Sequence, residues 1–364
     1  MSTTQTYLQA SQSSDLAPLL EVRDLKTHFE TDRGRVKAVD GVSFSLYRGR
    51  TIGIVGESGS GKTVLSRSVM RMLPRHGVIS GGQLIFDGQD ISEYTDEQMR
   101  SIWGAQIGLV SQDPMTSLNP VVRIGRQITE SVRLHLKIDK SQANEMAISI
   151  LKSVSMPEPE RRMRSYPHEL SGGLRQRVTI AMALACGPKL IIADEPTTAL
   201  DVTVQAQILD LLSSLQRERN MAMILITHDL GVVADRCDEI AVMYAGKIVE
   251  RAPTKYLFSN MKMRYTQALF ESIPKLNAPS NVPLRAIEGR PPDLVNPPLG
   301  CSFAPRCAYA DERCHTLEPP LMAAETPGHV FACWNPVGGM PPPPVHMVEQ
   351  LGVKPVREEK FFKS

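Results

Sequence analysis

The plainest chemistry in the chain lies in eight consecutive residues, Gly56-Glu57-Ser58-Gly59-Ser60-Gly61-Lys62-Thr63. They fit G-x-x-x-x-G-K-[ST], the pattern of a phosphate-binding loop. Glycines allow positive φ and bring backbone N–H groups close to phosphate oxygens. A helix opening at the end of the loop adds its positive pole. Lys62 can place a point charge on β- and γ-phosphates, and the Thr63 hydroxyl can ligate Mg²⁺. Asp194-Glu195 closes an apolar run, where two carboxylates are expected to face a ligand rather than the core. Asp194 is placed to hold Mg²⁺ and Glu195 to polarise an attacking water as general base. Gln112 and His228 each follow an apolar run as well, so they can reach a metal, a water or a γ-phosphate. Ser171-Gly172-Gly173 opens a second helix and is a second candidate anion site.

These residues need strands and helices to position them. Thr51 to Val55 before the loop has strand character, and Val64 to Met72 after it reads as a helix ended by Pro74. Leu20 to Leu25 and Val42 to Leu46 alternate like half-buried antiparallel strands, with Phe29 between them. Gln83 to Phe86 and Ile107 to Val110 are further strands. The span from about 116 to 166 is helical in pattern and interrupts the strand rhythm, so it is expected as an inserted subdomain. Lys189 to Pro196, Met221 to Thr227, Glu239 to Tyr244 and Lys247 to Arg251 resume the strands, with helices from Ser171 to about Cys186 and from Val204 to Arg219. Alternating strands and helices with polar residues at strand ends predict an α/β core with its site at the carboxyl edge.

With 364 residues the chain is too long for one ordinary core. Forty-one basic against 39 acidic residues give no field that points to nucleic acid. No run approaches the roughly 18 apolar residues of a membrane span. The first 17 residues are polar and lack the layout of a signal peptide, so the chain is expected to be cytoplasmic. Residues 1–18 and 337–364 read as a disordered arm and a flexible Pro-rich, charged tail. Cys301, Cys307, Cys314 and Cys333 crowd together as C-x₅-C-x₆-C-x₁₈-C. In a cytosolic chain this favours a metal over disulfides. Four thiolates suit a [4Fe–4S] cluster, Zn²⁺ is an alternative although its close Cys pairs are missing, and unmetallated thiols remain a third.

Taken in order, Gly56–Thr63, Gln112, Leu170–Gly173, Asp194–Glu195, Ala199–Asp201 and His228 resemble an ATP-binding cassette ATPase over about residues 19 to 255. The resemblance implies an α/β P-loop NTPase (RecA-like) core with an antiparallel β subdomain and an inserted helical subdomain. It implies Mg²⁺ at Thr63, Gln112 and Asp194. It also implies ATP held by Phe29, stacking on adenine, and by Gly56, Ser58, Gly59, Ser60, Gly61, Lys62, Thr63 and Val64. The catalytic set is Glu195, His228 and Gln112. In a head-to-tail dimer, Ser171, Gly172, Gly173 and Asp201 act in trans on the partner's nucleotide. Leu174 departs from the Gln most often found in that signature.

Residues 256–336, with Glu288-Gly289-Arg290-Pro291-Pro292 and Asn296 to Cys307, resemble the C-terminal domain of oligopeptide/dipeptide importer ATPases, most of all the D-type subunit of dipeptide permeases. A small Cys-rich regulatory or structural domain is expected there, and in members with this cysteine pattern the resemblance also implies the iron–sulfur cluster. The implied partners are a second, related ATPase subunit in a heterodimer, two membrane permeases and an external peptide-binding protein, with no nucleic acid. The implied place is the cytoplasmic face of a bacterial inner membrane. A soluble cassette protein acting on DNA or ribosomes and a catalytically silent subunit are the rival readings. The single cassette argues against the first, and intact Lys62, Glu195 and His228 against the second.

Overall fold

A computed structural model describes residues 17–198, 200–272 and 287–339. The expected arm and tail fall almost entirely outside these residues, as does Ala199 of the Ala199–Asp201 motif.

The chain opens with a long hairpin, β1 (Leu20–Thr31) and β2 (Gly34–Leu46), in antiparallel register from Leu20 opposite Leu46 to Thr31 opposite Gly34. After β3 (Thr51–Val55) come β4 (Gly77–Phe86) and the short β5 (Gln89–Asp90), completing a four-stranded sheet in the order β2-β1-β4-β5. The sequence marks only the end of β4, because Gly81-Gly82 has little intrinsic strand preference. Pairing with β1 carries the strand back to Gly77, with register irregularities near Lys26. The helix after the P-loop is Lys62–Val69, shorter than its apolar pattern suggests; Arg71 turns into the left-handed region at φ 53°.

The central sheet takes β6 (Ile107–Val110), β7 (Leu190–Asp194), β8 (Ala222–Thr227), β9 (Glu239–Tyr244) and β10 (Lys247–Pro253). Strands β9, β3, β8, β7 and β6 lie side by side and parallel. Every residue of β3, β7 and β8 is buried, as a parallel sheet covered on both faces requires. One core lies between the antiparallel sheet, the P-loop helix and the central sheet, built from Val22, Phe44, Ile54, Leu65 and Ile226 among others. The opposite core joins the central sheet to the helical insert.

That insert consists mainly of helices Ile124–Leu136 and Lys140–Ser153. Lys137 reverses the chain at φ 53°, and Asp139 with Gln142 forms a reciprocal capping box. Ile124, Ile128 and Val132 share a core with Ala143, Ala147 and Leu151, so the pair packs as one unit against the signature helix, Gly172–Leu184.

Beyond β10, helices Thr254–Asn260 and Arg264–Glu271 follow, and residues 287–339 return to the same face with β11 (Met322–Ala323) and β12 (Val330–Phe331). Strand β12 pairs antiparallel with β10, Glu250 opposite Phe331, so the C-terminal segment extends the central sheet. Beneath this seam Glu250, wholly buried, accepts hydrogen bonds from the Lys262 and Met263 N–H groups at 2.6 and 3.1 Å. It also lies 2.8 Å from His329 Nε2.

Candidate functional site

The P-loop joins β3 to its helix and turns on three glycines with positive φ: Gly56, Gly59 and Gly61. A Cβ on Gly56 would sit 2.2 Å from the Met243 carbonyl, and one on Gly61 2.2 Å from that of Ala38. Both contacts are to backbone, so side chains are excluded at these two positions. Around Gly59 the space is open, which leaves room for a ligand to lie against its backbone. Lys62 is 4 % exposed and donates to the Gly56 and Glu57 carbonyls at 2.8 and 2.9 Å. Burial pushes its ammonium below the ordinary lysine range, and the fields of Glu195, Asp194 and Glu57 oppose that shift. No carboxylate binds Nζ directly, so the charge is available to an anion entering the loop.

Asp194 ends β7 beneath the loop. Its Oδ1 accepts from the Thr63 hydroxyl and its Oδ2 from that of Ser66, both at 3.2 Å. Burial raises the Asp194 carboxyl above the ordinary range, and the two hydroxyls counter it. A carboxylate, a hydroxyl and the nearby Gln112 amide offer only hard oxygen donors. This fits Mg²⁺, which takes one or two protein carboxylates and completes its shell with phosphates and water.

Glu195 is the next residue, held at φ 46° with its N–H donating to the Ile226 carbonyl at 2.9 Å. A positive φ at a non-glycine residue is costly and is maintained here where the site needs that carboxylate. Its Oε2 accepts from Gln112 Nε2 at 3.2 Å and from the Thr198 hydroxyl at 2.9 Å, and lies 3.4 Å from His228 Nδ1. Residues that follow three strands, β6, β7 and β8, thus meet at one carboxylate. Thr198 was not singled out in the sequence; its only signal is its position three residues beyond Glu195.

These groups line one cleft of about 690 Å³ with Phe29, Val36, Ala38, Ser58, Gly59, Gly61, Lys62, Thr63, Val64, Gln112, Glu195 and His228. Leu294 from the C-terminal segment joins them, a lining residue the sequence does not announce. Phe29 lies in β1, its ring edge 2.7 Å from where a Cβ on Gly77 would stand, so that glycine makes room for the ring. Ser60 is buried and its hydroxyl finds no partner among the described residues.

Ser171 is the N-cap of the signature helix, its Oγ accepting from the Leu174 N–H at 3.4 Å, and Ser171 and Gly172 are exposed. Asp201 caps helix Val202–Glu218 in the same manner, at 3.0 Å from the Val204 N–H. Neither Ser171, Gly172, Gly173 nor Asp201 lines the cleft of its own chain.

The four clustered cysteines lie near enough for their thiolates to repel one another: Cys333 and Cys307 act on Cys301, and Cys301 on Cys314. Cys301, Cys307, Cys314 and Cys333 are all free thiols, and the Cys301 N–H donates to the Cys314 carbonyl at 2.8 Å. Among the described residues no group of three or more His, Cys, Asp or Glu side chains converges to hold a metal ion. No site for an iron–sulfur cluster or for zinc is therefore seen among the described residues. Burial instead pushes these thiols up, Cys301 to about 11 and Cys314 to about 12, and so favours their neutral forms. No helix among the described residues is long and apolar enough to cross a membrane.

Comparison with known proteins agrees with this geometry. The profile of the ABC transporter family matches residues 39–198, and that of the oligopeptide/dipeptide transporter C-terminal region matches residues 249–314. The oligopeptide transport ATP-binding protein OppD of Bacillus subtilis (strain 168) is 50 % identical over 304 residues, 83 % of this chain and 85 % of that protein. OppD of Salmonella typhimurium is 47 % identical over 93 % of this chain and 99 % of its own length. The dipeptide transport ATP-binding protein DppD of Bacillus subtilis is 46 % identical over 87 % and 94 %. Among solved structures, the ATP-binding cassette MJ0796, a dimer with ADP and Pi after hydrolysis, superposes with a TM-score of 0.59 at 24 % identity. It covers 65 % of this chain and 98 % of that one. CbiO1 of Clostridium perfringens, part of the transporter complex cbiONQ, gives 0.58 at 27 % identity over 67 % and 92 %.

Proposed function

The chain belongs to the ATP-binding proteins of the oligopeptide/dipeptide ABC transporters, and from that membership we propose that it hydrolyses ATP to drive uptake of peptides through partner permease subunits. The observation that carries the chemistry is the convergence of Gln112, Thr198 and His228 on Glu195 at the edge of the P-loop cleft.

In this reading Lys62 leaves the two carbonyls it now binds and meets the β- and γ-phosphates. Thr63, Asp194 and Gln112 would hold Mg²⁺, which neutralises charge on the phosphates when bound. Glu195 takes the proton of the attacking water, and His228 holds that carboxylate in place while reaching toward the γ-phosphate. Phe29 stacks on the adenine ring, with Gly56, Ser58, Gly59, Ser60, Gly61 and Val64 around the phosphates. Ser171, Gly172, Gly173 and Asp201 complete the site of a second cassette; their exposure outside their own cleft supports action in trans. The second cassette is a related but distinct subunit, and the assembly sits on the cytoplasmic face of the membrane with two permeases and an external peptide-binding protein. Residues 19–255 form the ATPase unit and 256–336 the transporter-type C-terminal domain.

The [4Fe–4S] reading of Cys301, Cys307, Cys314 and Cys333, with Zn²⁺ as its alternative, is supported by the cysteine pattern and the resemblance, and no catalytic step depends on it. Protein purified without oxygen should contain iron and sulfide in equal amounts and lose both in Cys307→Ser. Stoichiometric zinc, or no metal, decides against it.

The function is tested by reconstituting the chain with its permeases and binding protein. ATP hydrolysis and peptide uptake should rise together and both vanish in Lys62→Ala. Hydrolysis with no ATP-dependent peptide uptake would remove the transport assignment.

A further inference from the structure

Two contacts tie the C-terminal segment to the nucleotide cleft, one at each end. At the P-loop, the Arg306 guanidinium forks onto the Glu57 carboxylate, Nη1 to Oε2 at 2.6 Å and Nη2 to Oε1 at 2.9 Å. The Arg306 side chain is 3 % exposed. Its remaining donors reach the carbonyls of Glu288 and Ile287 at 2.9 and 3.2 Å and the Tyr244 hydroxyl at 3.2 Å. Tyr244, Tyr265 and Phe303 pack ring against ring beside it, with centroids 4.4 to 5.5 Å apart. The Tyr265 hydroxyl accepts the Glu57 N–H at 2.8 Å, so side chain and backbone of this P-loop residue are both held from the C-terminal side. At the other end, the Leu294 carbonyl accepts the Lys37 N–H of β2 at 3.1 Å, and Leu294 lines the cleft together with Phe29. Val295 lies 3.0 Å from where a Cβ on Gly34 would stand.

A bidentate, buried arginine–carboxylate pair fixes direction as well as distance. It acts here on a residue whose own carbonyl accepts from Lys62 Nζ. Any displacement of Glu57 therefore moves an atom that holds the phosphate-binding lysine.

We propose that the segment 287–306 is a clamp on the nucleotide cleft, with Arg306 a positioning residue that sets the P-loop through Glu57, so that ATP binding and docking of this segment favour each other. The proposal rests on the ATPase reading above. It goes further in making nucleotide affinity depend on a part of the chain that contacts neither the γ-phosphate nor the attacking water.

The test is steady-state ATP hydrolysis by the full chain assembled with its permeases, for Arg306→Ala, Glu57→Gln, Arg306→Lys and the Arg306→Ala/Glu57→Gln pair. Each single removal should raise KM for ATP about 10-fold, within the range for coupling between sites, while kcat changes by less than about 2-fold. The double variant should be no worse than the more impaired single one, since both remove the same contact. Arg306→Lys should recover part of the loss. By reciprocity, ATP should slow hydrogen exchange across residues 287–306 in the wild type and not in Glu57→Gln. Unchanged KM in Glu57→Gln, additive losses in the pair, or equal ATP protection in both proteins would each overturn the clamp. Should Arg306→Ala fail to accumulate because it leaves the half-buried Glu57 without its partner, Glu57→Gln and Arg306→Lys decide it alone. A wild-type chain that binds no ATP refutes the ATPase reading instead.

Discussion

At Glu195 backbone strain, hydrogen bonding and position coincide. Its φ of 46° aims the carboxylate out of β7, while the preceding Asp194 stays beneath the loop. In the proposed reading the two adjacent carboxylates thus take separate tasks, one toward the metal and one toward the water. The amide of a Glu195→Gln variant keeps the size and the contact to Thr198 but cannot accept the water's proton. Turnover should fall by about 10² to 10⁴-fold, the usual contribution of a general base, with ATP binding retained. Equilibrium binding of ATP beside a multiple-turnover assay checks both halves. Turnover at the wild-type rate would remove Glu195 from the role of base. The proposed roles of Lys62 and Thr63 can be read from residue type and spacing alone, because the P-loop is contiguous. Thr198 and Leu294 cannot, since each becomes part of the site only when distant strands and the C-terminal segment close around it.

At the scale of elements, the two sheets are joined by side chains that carry no motif. Asp87, in the turn between β4 and β5, binds Arg48 and Lys189 at 2.6 Å each, linking the antiparallel sheet to the segments entering β3 and β7. These partners hold the Asp87 carboxyl below the ordinary range, Lys189 first among them. Because the folded-state value is depressed, the contribution to stability is present above the ordinary aspartate pKa and is lost as pH falls through the lower folded one. Asp87 is partly exposed, so Asp87→Asn should cost under about 1 kcal/mol at pH 7. Denaturant unfolding of both proteins at pH 7 and again near pH 2 checks this, and the difference should close at the acid end. A difference that persists there would make the contact non-ionic. Asn accepts the φ of 49° at this position, so the substitution does not disturb the turn.

The same scale explains what the sequence left hidden. The strands with continuous apolar runs, β7, β8 and β9, are legible to within a residue or two, since burial on both faces demands that pattern. The first half of β4 is not, because Gly81-Gly82 speaks against a strand until β1 is beside it. Strands β11 and β12, two residues each, have no period to read at all; only β10 makes them strands. The four cysteines carry a strong pattern in sequence, yet no metal-holding group is seen among the described residues, and burial favours their neutral thiols.

At the scale of the whole molecule, the proposed head-to-tail arrangement would make each chain supply half of two sites. Ser171 and Gly172, at the start of the signature helix, are exposed and do not line the P-loop cleft of their own chain. The N-terminus of a 13-residue helix carries a positive pole and first-turn N–H groups of which Ser171 caps that of Leu174, so it suits a phosphate. A second cassette placed head to tail would supply that phosphate and receive the same service in return. Ser171→Arg puts bulk and charge on this face while leaving Lys62, Asp194 and Glu195 untouched. In a dimer carrying the substitution on one subunit only, hydrolysis should fall by at least about 10-fold at the nucleotide bound by the other subunit's P-loop, a loss of the size that follows removal of one preorganised donor site. Photolabelling with an azido-nucleotide under turnover conditions, followed by separation of the two subunits, locates the retained nucleotide. Retention on the unsubstituted subunit supports the shared site. Retention on the substituted subunit would mean that each cassette completes its own.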